Sequence, residues 1–247
     1  FHDLPTMPAP PPPREAAAGL AEALGKRPLC GGCGAKLGPG LLGRVLAGLP
    51  GTAGLGDDAA VLQVGGVRQV IATDHLRALT LDPFVMGRIA AVHALGDLHA
   101  MGARPQAGLA HVVLPPLCEA LQERTLTELM AGITDALAAA GAVLVGGHST
   151  QGAELVAGLT VTGLAGARVL TKAGARPGDA LVLTRPLGSG TILAAEMAGG
   201  APGAVAAGLL AVLAQDQGAA AAVLAPVAHA MTDVTGFGLA GPLDEML

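Results

Sequence analysis

Four aspartates at or near the ends of predicted helices and strands are the first candidates for chemistry in this sequence. Asp58 precedes a β-rich run, Asp74 ends the next run, Asp97 lies late in a predicted helix, and Asp233 lies far downstream. Such carboxylates are costly to bury unless they meet a cation, a donor or a metal. Each one alone suits a turn or a helix cap, but in a chain with 13% charged residues the four together favour a site. Hard oxygen ligands from separate elements suit magnesium, so we expect magnesium and a nucleotide triphosphate here.

A glycine pair followed by a hydroxyl residue, Gly146-Gly147-His148-Ser149, comes directly after an apolar run. Backbone N–H groups of two glycines can surround phosphate oxygens, and Ser149 adds a hydroxyl. The motif lacks the Gly-Lys-Ser/Thr of a Walker A loop. An ordinary turn after a strand therefore explains it equally well.

A second chemical feature is a glycine-rich loop in which Cys33 and Lys36 are three residues apart. A nearby ammonium stabilises the thiolate, which is the nucleophilic form of cysteine. Lys36 is also suited to neutralising phosphate charge. Two alternatives stay open, a Cys30/Cys33 redox pair and half of a zinc site, although the sequence offers no second CxxC.

The remaining histidines and the third cysteine have simpler interpretations. His93 lies one helical turn before Asp97, where it could contact nucleotide or metal or pair with Asp97, and we favour the pairing. Cys118, near the start of an apolar helix, is predicted to be a buried structural thiol. Four other histidines follow no pattern and are interpreted as structural: His75, His99, His111 and His229.

Hydrophobic periodicity gives the elements that position these residues. We expect a helix from Pro39, and a hairpin at Gly65-Gly66 that joins strands 59–64 and 67–72. Ile89, Val92 and Leu95 mark the buried face of a helix over 84–101. The pattern further predicts strands 106–114, 142–145, 154–164 and 180–184, a helix over 116–139 ending at Gly141, alanine-rich helices up to 230, and a loop over 231–238 before a last helix.

Composition bounds the class of protein. The chain has 247 residues, of which 51% are hydrophobic, and a formal net charge of −5. It can bury a core, and it has no run of lysine or arginine, so we expect neither disorder nor a nucleic-acid surface. Apolar segments are too short or too interrupted to span a bilayer, so we expect no membrane partner. Three cysteines are too few for a disulfide scaffold, which indicates a reducing cytoplasm.

Three segments are predicted along the chain. Residues 1–28 form a proline-rich linker or tail, residues 29–172 an N-terminal domain that binds ATP and metal and carries the cysteine loop, and residues 173–247 the start of a C-terminal domain. The chain opens on Phe1 and stops within a predicted helix, so we expect a piece of a longer protein.

Several motifs, taken in order, resemble those of the selenophosphate synthetase (selenide, water dikinase) family, a branch of the superfamily of aminoimidazole ribonucleotide synthetase and thiamin-monophosphate kinase. They include CGAK at 33–36, DDAAV at 57–61, TD at 73–74, DLHAMG at 97–102, GGHS at 146–149 and MTDVTGFG at 231–238. The cysteine loop and the last motif are specific to selenophosphate synthetases, whereas the acidic and GGHS motifs occur more widely in the superfamily.

The resemblance implies a reaction in which ATP, selenide and water give selenophosphate, AMP and inorganic phosphate. It implies that Cys33 handles selenium or assists catalysis, that Lys36 is its catalytic partner, and that magnesium is held by Asp58, Asp74, Asp97 and Asp233. Nucleotide contacts are implied for Lys36, Thr73, Asp74, Asp97, Gly146, Gly147, His148 and Ser149. The implied fold is α/β (α+β), with an N-terminal domain that forms a dimeric β-barrel in a homodimer and an α+β C-terminal domain that is incomplete here. The proline-rich start fits a fusion to an upstream oxidoreductase-like domain.

Two other functions compete with this one. The chain could be another ATP-using member of the superfamily, such as a thiamin-monophosphate kinase or a hydrogenase-maturation protein, which would not need Cys33 and Lys36. It could instead be a non-catalytic nucleotide-binding or dimerisation module. The dependence of ATP turnover on selenide separates the three.

Overall fold

A five-stranded sheet with helices on one face carries the candidate residues. The computed structural model describes residues 36, 39–50 and 56–247. Its elements, in chain order, are α1 Pro39–Ala47, β1 Ala60–Val64, β2 Val67–Arg77, α2 Pro83–Ala100, β3 Ala103–Leu114, α3 Glu119–Ala139, β4 Val143–Gln151, β5 Val156–Ala165, α4 Ser189–Met197, α5 Gly203–Leu213, α6 Gly218–Leu224 and α7 Ala240–Met246. The predicted mixed α+β class is confirmed.

The strands lie in the order β1-β2-β5-β3-β4. Only β3 and β4 are parallel, and the other neighbours are antiparallel. The predicted hairpin is present, with Gly65 and Gly66 at φ 56° and 83° between paired Val64 and Val67. Positive φ at both turn residues matches the twist of a two-residue hairpin, and glycine adopts it without strain. In a single chain this sheet is open.

One face of the sheet is covered by α2, and among the described elements no helix covers the other. The side chains of Val70, Leu159 and Val161 point to the covered face and are fully buried. The predicted apolar stripe of α2 is confirmed as buried, but so is most of the rest of that helix. The reason is that α2 lies between the sheet, α3 and the later helices α5 and α6. A carboxylate on α2 is therefore in a largely apolar interior.

Three predicted features differ from the structure. Residues 180–184 form no strand, and Leu181, at 67% exposed, and its apolar neighbours have no pairing strand among the described residues. Strand β4 continues to Gln151 and does not end at 145. Cys118 is exposed, not buried, because it is the N-cap of α3, whose buried residues begin only at Leu129.

Within the described part of the chain, no single helix has both the length and the apolar composition to span a bilayer. Only α5 and α6 taken together, with a 56° bend between them, reach that combination.

The crossing of α2 and α3 depends on two glycines. A Cβ on Gly87 would lie 2.1 Å from the carbonyl oxygen of Leu129, and one on Gly132 would lie 2.0 Å from that of Phe84. Both neighbours are backbone atoms, which cannot rotate away. The two helices can pack this closely only because neither residue has a side chain.

We expect Gly87→Ala to lower the free energy of unfolding by about 1–3 kcal/mol or more, because the added methyl group forces the helices apart. Gly208→Ala is the matched control, since Gly208 is also helical but a Cβ there meets nothing within 4 Å. The control should gain about 0.5–1 kcal/mol through helix propensity. Urea unfolding followed by circular dichroism measures both, and equal effects would contradict this account of the crossing.

Candidate active site

Three of the four predicted aspartates meet in the structure. Asp58 lies just before β1, Asp97 projects from α2, and Asp233 comes from the loop before α7. One oxygen of each lies within 4.8 Å of the other two. Elements far apart in sequence thus place three hard oxygen ligands together, as a divalent cation requires.

Burial, and after it the negative charge of neighbouring acids, raises the pKa values in this acidic cluster of Asp58, Asp97 and Asp233. Burial, together with the charges of Asp233, Asp74 and Asp58, raises the pKa of Asp97 to about 9. Burial and Asp233 raise the pKa of Asp58 to about 6, and burial also raises the pKa of Asp233. Three carboxylates so close in a low dielectric cannot all be charged unless a cation joins them. The ligand atoms and the electrostatics therefore both fit a magnesium ion.

Asp74 is in a different state because Lys36 and His93 lie beside it. Strand β2 continues to Arg77, so Asp74 lies inside the strand and not at its end, on the face that α2 covers. Its Oδ2 is 3.2 Å from Lys36 Nζ and 2.9 Å from His93 Nε2. Burial alone would raise the pKa of Asp74, but His93 and Lys36 outweigh it and lower the pKa to about 2.

His93 pairs with Asp74, so the predicted pairing with Asp97 is wrong. The physical reason is charge, since Asp74 is ionised at neutral pH while burial and its neighbours favour the protonated form of Asp97. The contact is short but poorly aligned, and Nε2 is buried without a well-directed hydrogen bond. Such a nitrogen is available to a further ligand in the site.

Lys36 brings a positive charge to the edge of the cluster. Burial would lower the pKa of Lys36, but Asp74 beside it, with Asp233 and Asp97 further off, gives a net rise. Lys36 therefore keeps its positive charge at neutral pH. Cys30 and Cys33, predicted to lie in the same loop, fall outside the described residues.

The Gly146–Ser149 motif and Thr73 lie away from the acidic cluster within one chain. All four motif residues are inside β4, where a Cβ on Gly147 would lie 2.0 Å from the Ala110 oxygen. The predicted loop is thus a strand, and Gly147 allows it to approach β3. Three inter-strand steps separate β4 from β2, or about 14 Å. Thr73 accepts a hydrogen bond from Thr160 on the open face, opposite Asp74.

Two residues at the site were not singled out from the sequence. Thr232 donates its hydroxyl to Asp58 at 3.1 Å, and Lys172 places its ammonium 3.3 Å from the same carboxylate. The sequence could have pointed to Thr232, since it belongs to the MTDVTGFG motif. It could not have pointed to Lys172, because that residue lies in a Gly- and Pro-containing stretch that indicated only a domain boundary.

Two family models and several curated proteins match this chain. Residues 56–165 match the family model of the AIR synthase related protein, N-terminal domain, and residues 176–247 match that of the C-terminal domain. A selenide, water dikinase of Geobacter metallireducens is 43% identical over 229 residues, which cover 87% of this chain and 66% of that protein. One of Nitratidesulfovibrio vulgaris (strain DP4) is 38% identical over 246 residues, which cover 90% and 67%. The chain spans about two thirds of the length of the curated relatives it matches.

A solved structure has the same fold. The thiamine-monophosphate kinase from Stenotrophomonas maltophilia K279a superposes with a TM-score of 0.64 at 25% identity, over 82% of this chain and 68% of that one. Its identity to this chain is well below that of the two dikinases.

In the absence of divalent cations, we expect the free energy of unfolding to fall as pH rises from about 5 to 9, and Asp97→Asn to weaken that fall. The folded-state pKa of Asp97, about 9, lies above the value of about 3.9 for an unfolded aspartate. The stabilisation from this proton is complete below the unfolded pKa and is lost progressively as pH rises towards the folded one. Urea unfolding in EDTA at several pH values tests this.

Asp135→Asn is the control, because Asp135 is half-exposed and its partner is Arg88, a side-chain type that stays charged throughout this pH range. The control should keep the slope of the parent protein. Parallel curves for the parent and Asp97→Asn would contradict the expected state of Asp97.

Proposed function

This chain belongs to the selenide, water dikinase family of AIR synthase related proteins, and on that premise we propose that it serves the ATP-dependent synthesis of selenophosphate. The proposed reaction consumes ATP, selenide and water and releases selenophosphate, AMP and inorganic phosphate. The observation that carries the proposal is the acidic cluster, whose ligand atoms lie within 4.8 Å of one another, beside a lysine held by Asp74.

Asp58, Asp97 and Asp233 would hold magnesium, and Asp74 faces the same interior from β2. A magnesium ion at this position would neutralise phosphate charge and orient the transferred group. The raised pKa values of the three acids support this, because burial and neighbouring negative charges raise them and a bound cation would offset both. The burial of Asp58 and Asp97 lowers the local dielectric, which strengthens each of these interactions.

Lys36 is proposed to neutralise the phosphoryl group, and Cys33 to handle selenium. The ammonium of Lys36 sits 3.2 Å from Asp74 and keeps its proton at neutral pH, so it offers a fixed positive charge at the edge of the cluster. Cys33 precedes it by three residues in a glycine-rich stretch of the sequence. A thiol there would persist in a reducing cytoplasm, which is the proposed compartment.

Nucleotide contacts are proposed for Thr73 and for the motif Gly146, Gly147, His148 and Ser149. Strand β4 lies about 14 Å from β2 in one chain, and we propose that a second copy of the chain brings the motif closer to the acidic cluster. The proposed homodimer joins two open sheets into a barrel, in which the uncovered face and the edges would find partners. Exposed apolar side chains on that face, such as Leu109 and Val143, support such a contact.

We expect sedimentation equilibrium to give about twice the chain mass of 24.0 kDa. Leu109→Lys should shift the protein towards monomer, since a charge on the open face would be buried in the dimer. Leu121→Lys is the matched control, because Leu121 is similarly exposed (49% against 44%) but lies on α3. A monomeric parent protein, or equal effects of the two substitutions, would rule out this interface.

We expect AMP formation from ATP and magnesium to depend on selenide, and Lys36→Met to reduce it by about 100-fold or more, the usual loss when one charge-stabilising donor is removed. Cys33→Ser should also collapse the selenide-dependent rate, because a hydroxyl is a far weaker nucleophile than a thiol. Cys118→Ser is its control, as Cys118 is exposed at the start of α3.

Nucleotide products resolved by chromatography distinguish the alternatives. ADP formed without selenide would indicate a kinase of the superfamily. ATP binding by a folded protein with no turnover would indicate a non-catalytic module.

A further inference from the structure

Lys172 lies between the acidic cluster and the last helix. Its ammonium is 3.3 Å from Asp58 Oδ1 and 2.8 Å from Glu245 Oε2, and its side chain is 19% exposed. The residue falls in the stretch between the two matched family domains, which end at 165 and begin at 176. Nothing in the family match therefore assigns it a role.

The contacts of Asp58 are concentrated on one oxygen. Oδ1 accepts a hydrogen bond from the Thr232 hydroxyl at 3.1 Å and receives the ammonium of Lys172. Within the described part of the chain, Oδ2 has no hydrogen-bond or ion-pair partner. The side chain is only 4% exposed, so these two contacts set its orientation. A carboxylate fixed through one oxygen can offer the other to a cation.

The backbone of Lys172 contacts Asp57, the acid next to Asp58. The N–H of Lys172 donates to Asp57 Oδ1 at 3.1 Å. This bond does not involve the side chain, so it survives any substitution at position 172 except proline. A change of side chain therefore removes the ammonium from Asp58 while the loop keeps its anchor.

The net charge of the acidic cluster is also consistent with a lysine beside the proposed cation. Three ionised carboxylates carry three negative charges, of which one divalent cation neutralises two and Lys172 neutralises the third. Groups that orient a metal ligand commonly affect metal affinity by 10- to 100-fold. Lys172 could also have the opposite effect and weaken metal binding, since an ammonium repels a nearby divalent cation. If metal affinity falls when the Lys172 ammonium is removed, orientation of Asp58 is the larger effect. If the affinity rises, charge repulsion is the larger effect.

We propose that Lys172 is a positioning residue of the metal site, which orients the Asp58 carboxylate towards the cation and links it to Glu245 on α7. This proposal rests on the proposed function, in which Asp58, Asp97 and Asp233 hold magnesium. It adds that cation affinity depends on a residue outside both matched domains.

The test is Mn²⁺ binding to the purified chain, with free Mn²⁺ followed by electron paramagnetic resonance at fixed pH and no nucleotide. Lys172→Met should weaken the Kd by about tenfold or more, and Lys172→Arg, which keeps a cation at similar reach, should restore most of the affinity. Glu245→Gln is the matched control, since it breaks the far contact of Lys172 and should change the Kd by less than about twofold. Asp233→Asn tests the metal site itself and should abolish tight binding.

The outcomes separate the two proposals. Tight Mn²⁺ binding that Asp233→Asn abolishes and Lys172→Met leaves unchanged or strengthens would overturn the role of Lys172 and leave the metal site standing. Absence of Mn²⁺ binding by the parent chain would overturn both. If Lys172→Met does not fold by circular dichroism, Lys172→Gln, which keeps a hydrogen-bond donor without the charge, takes its place and must show the same loss of affinity.

Discussion

The cost of holding three carboxylates close together with little access to solvent is the constraint on which the rest of this structure depends. Asp58, Asp97 and Asp233 lie close enough to share one cation, in an interior where none of them is well solvated. The chain tolerates them because Lys172 lies beside Asp58, and Lys36 and His93 lie beside the neighbouring Asp74. The cluster is electrostatically unfavourable as it stands, and the proposed cation would relieve that cost.

The scaffold that holds this arrangement is rigid at a few defined points. Helix α2 carries Asp97 and His93, and it is clamped against α3 by Gly87 and Gly132. A second tether links α2 to the segment between α5 and α6, where His99 Nε2 lies 2.8 Å from Asp216 Oδ1. The loop that carries Asp233 is connected to the segment before β1 because the Thr232 hydroxyl donates a hydrogen bond to Asp58. Each acid is therefore fixed to an element that cannot easily move away from the others.

Local patterns predicted the elements well, because alternation in strands and the stripe of α2 are both short-range signals. The hairpin at Gly65-Gly66, the helix with Ile89 and Leu95 buried, and the loop with Asp233 were all predicted correctly. The failures concern long-range information. Elements distant in sequence determine whether residues 180–184 pair with a strand. They also determine whether Cys118 is buried and which aspartate His93 contacts. Lys172 illustrates the limit, since its role depends on contacts with residues 58 and 245 and on no local motif.

The two-residue turn at Gly65-Gly66 has a consequence that reaches well beyond the hairpin. It sets the pairing of Val64 with Val67, and through strict alternation it decides which side chains of β1 lie on each face of the sheet. Strand β2 is held independently by its pairing with β5 from Gln69 to Arg77, which keeps Asp74 towards α2 and Thr73 towards the open face. Inserting or deleting one residue in this turn would therefore exchange the two faces of the edge strand β1 and leave β2 in place. It would also displace Asp58, two residues before β1, by about 3.3 Å along the strand. The length of a surface turn thus bears on the position of an acid in the cluster.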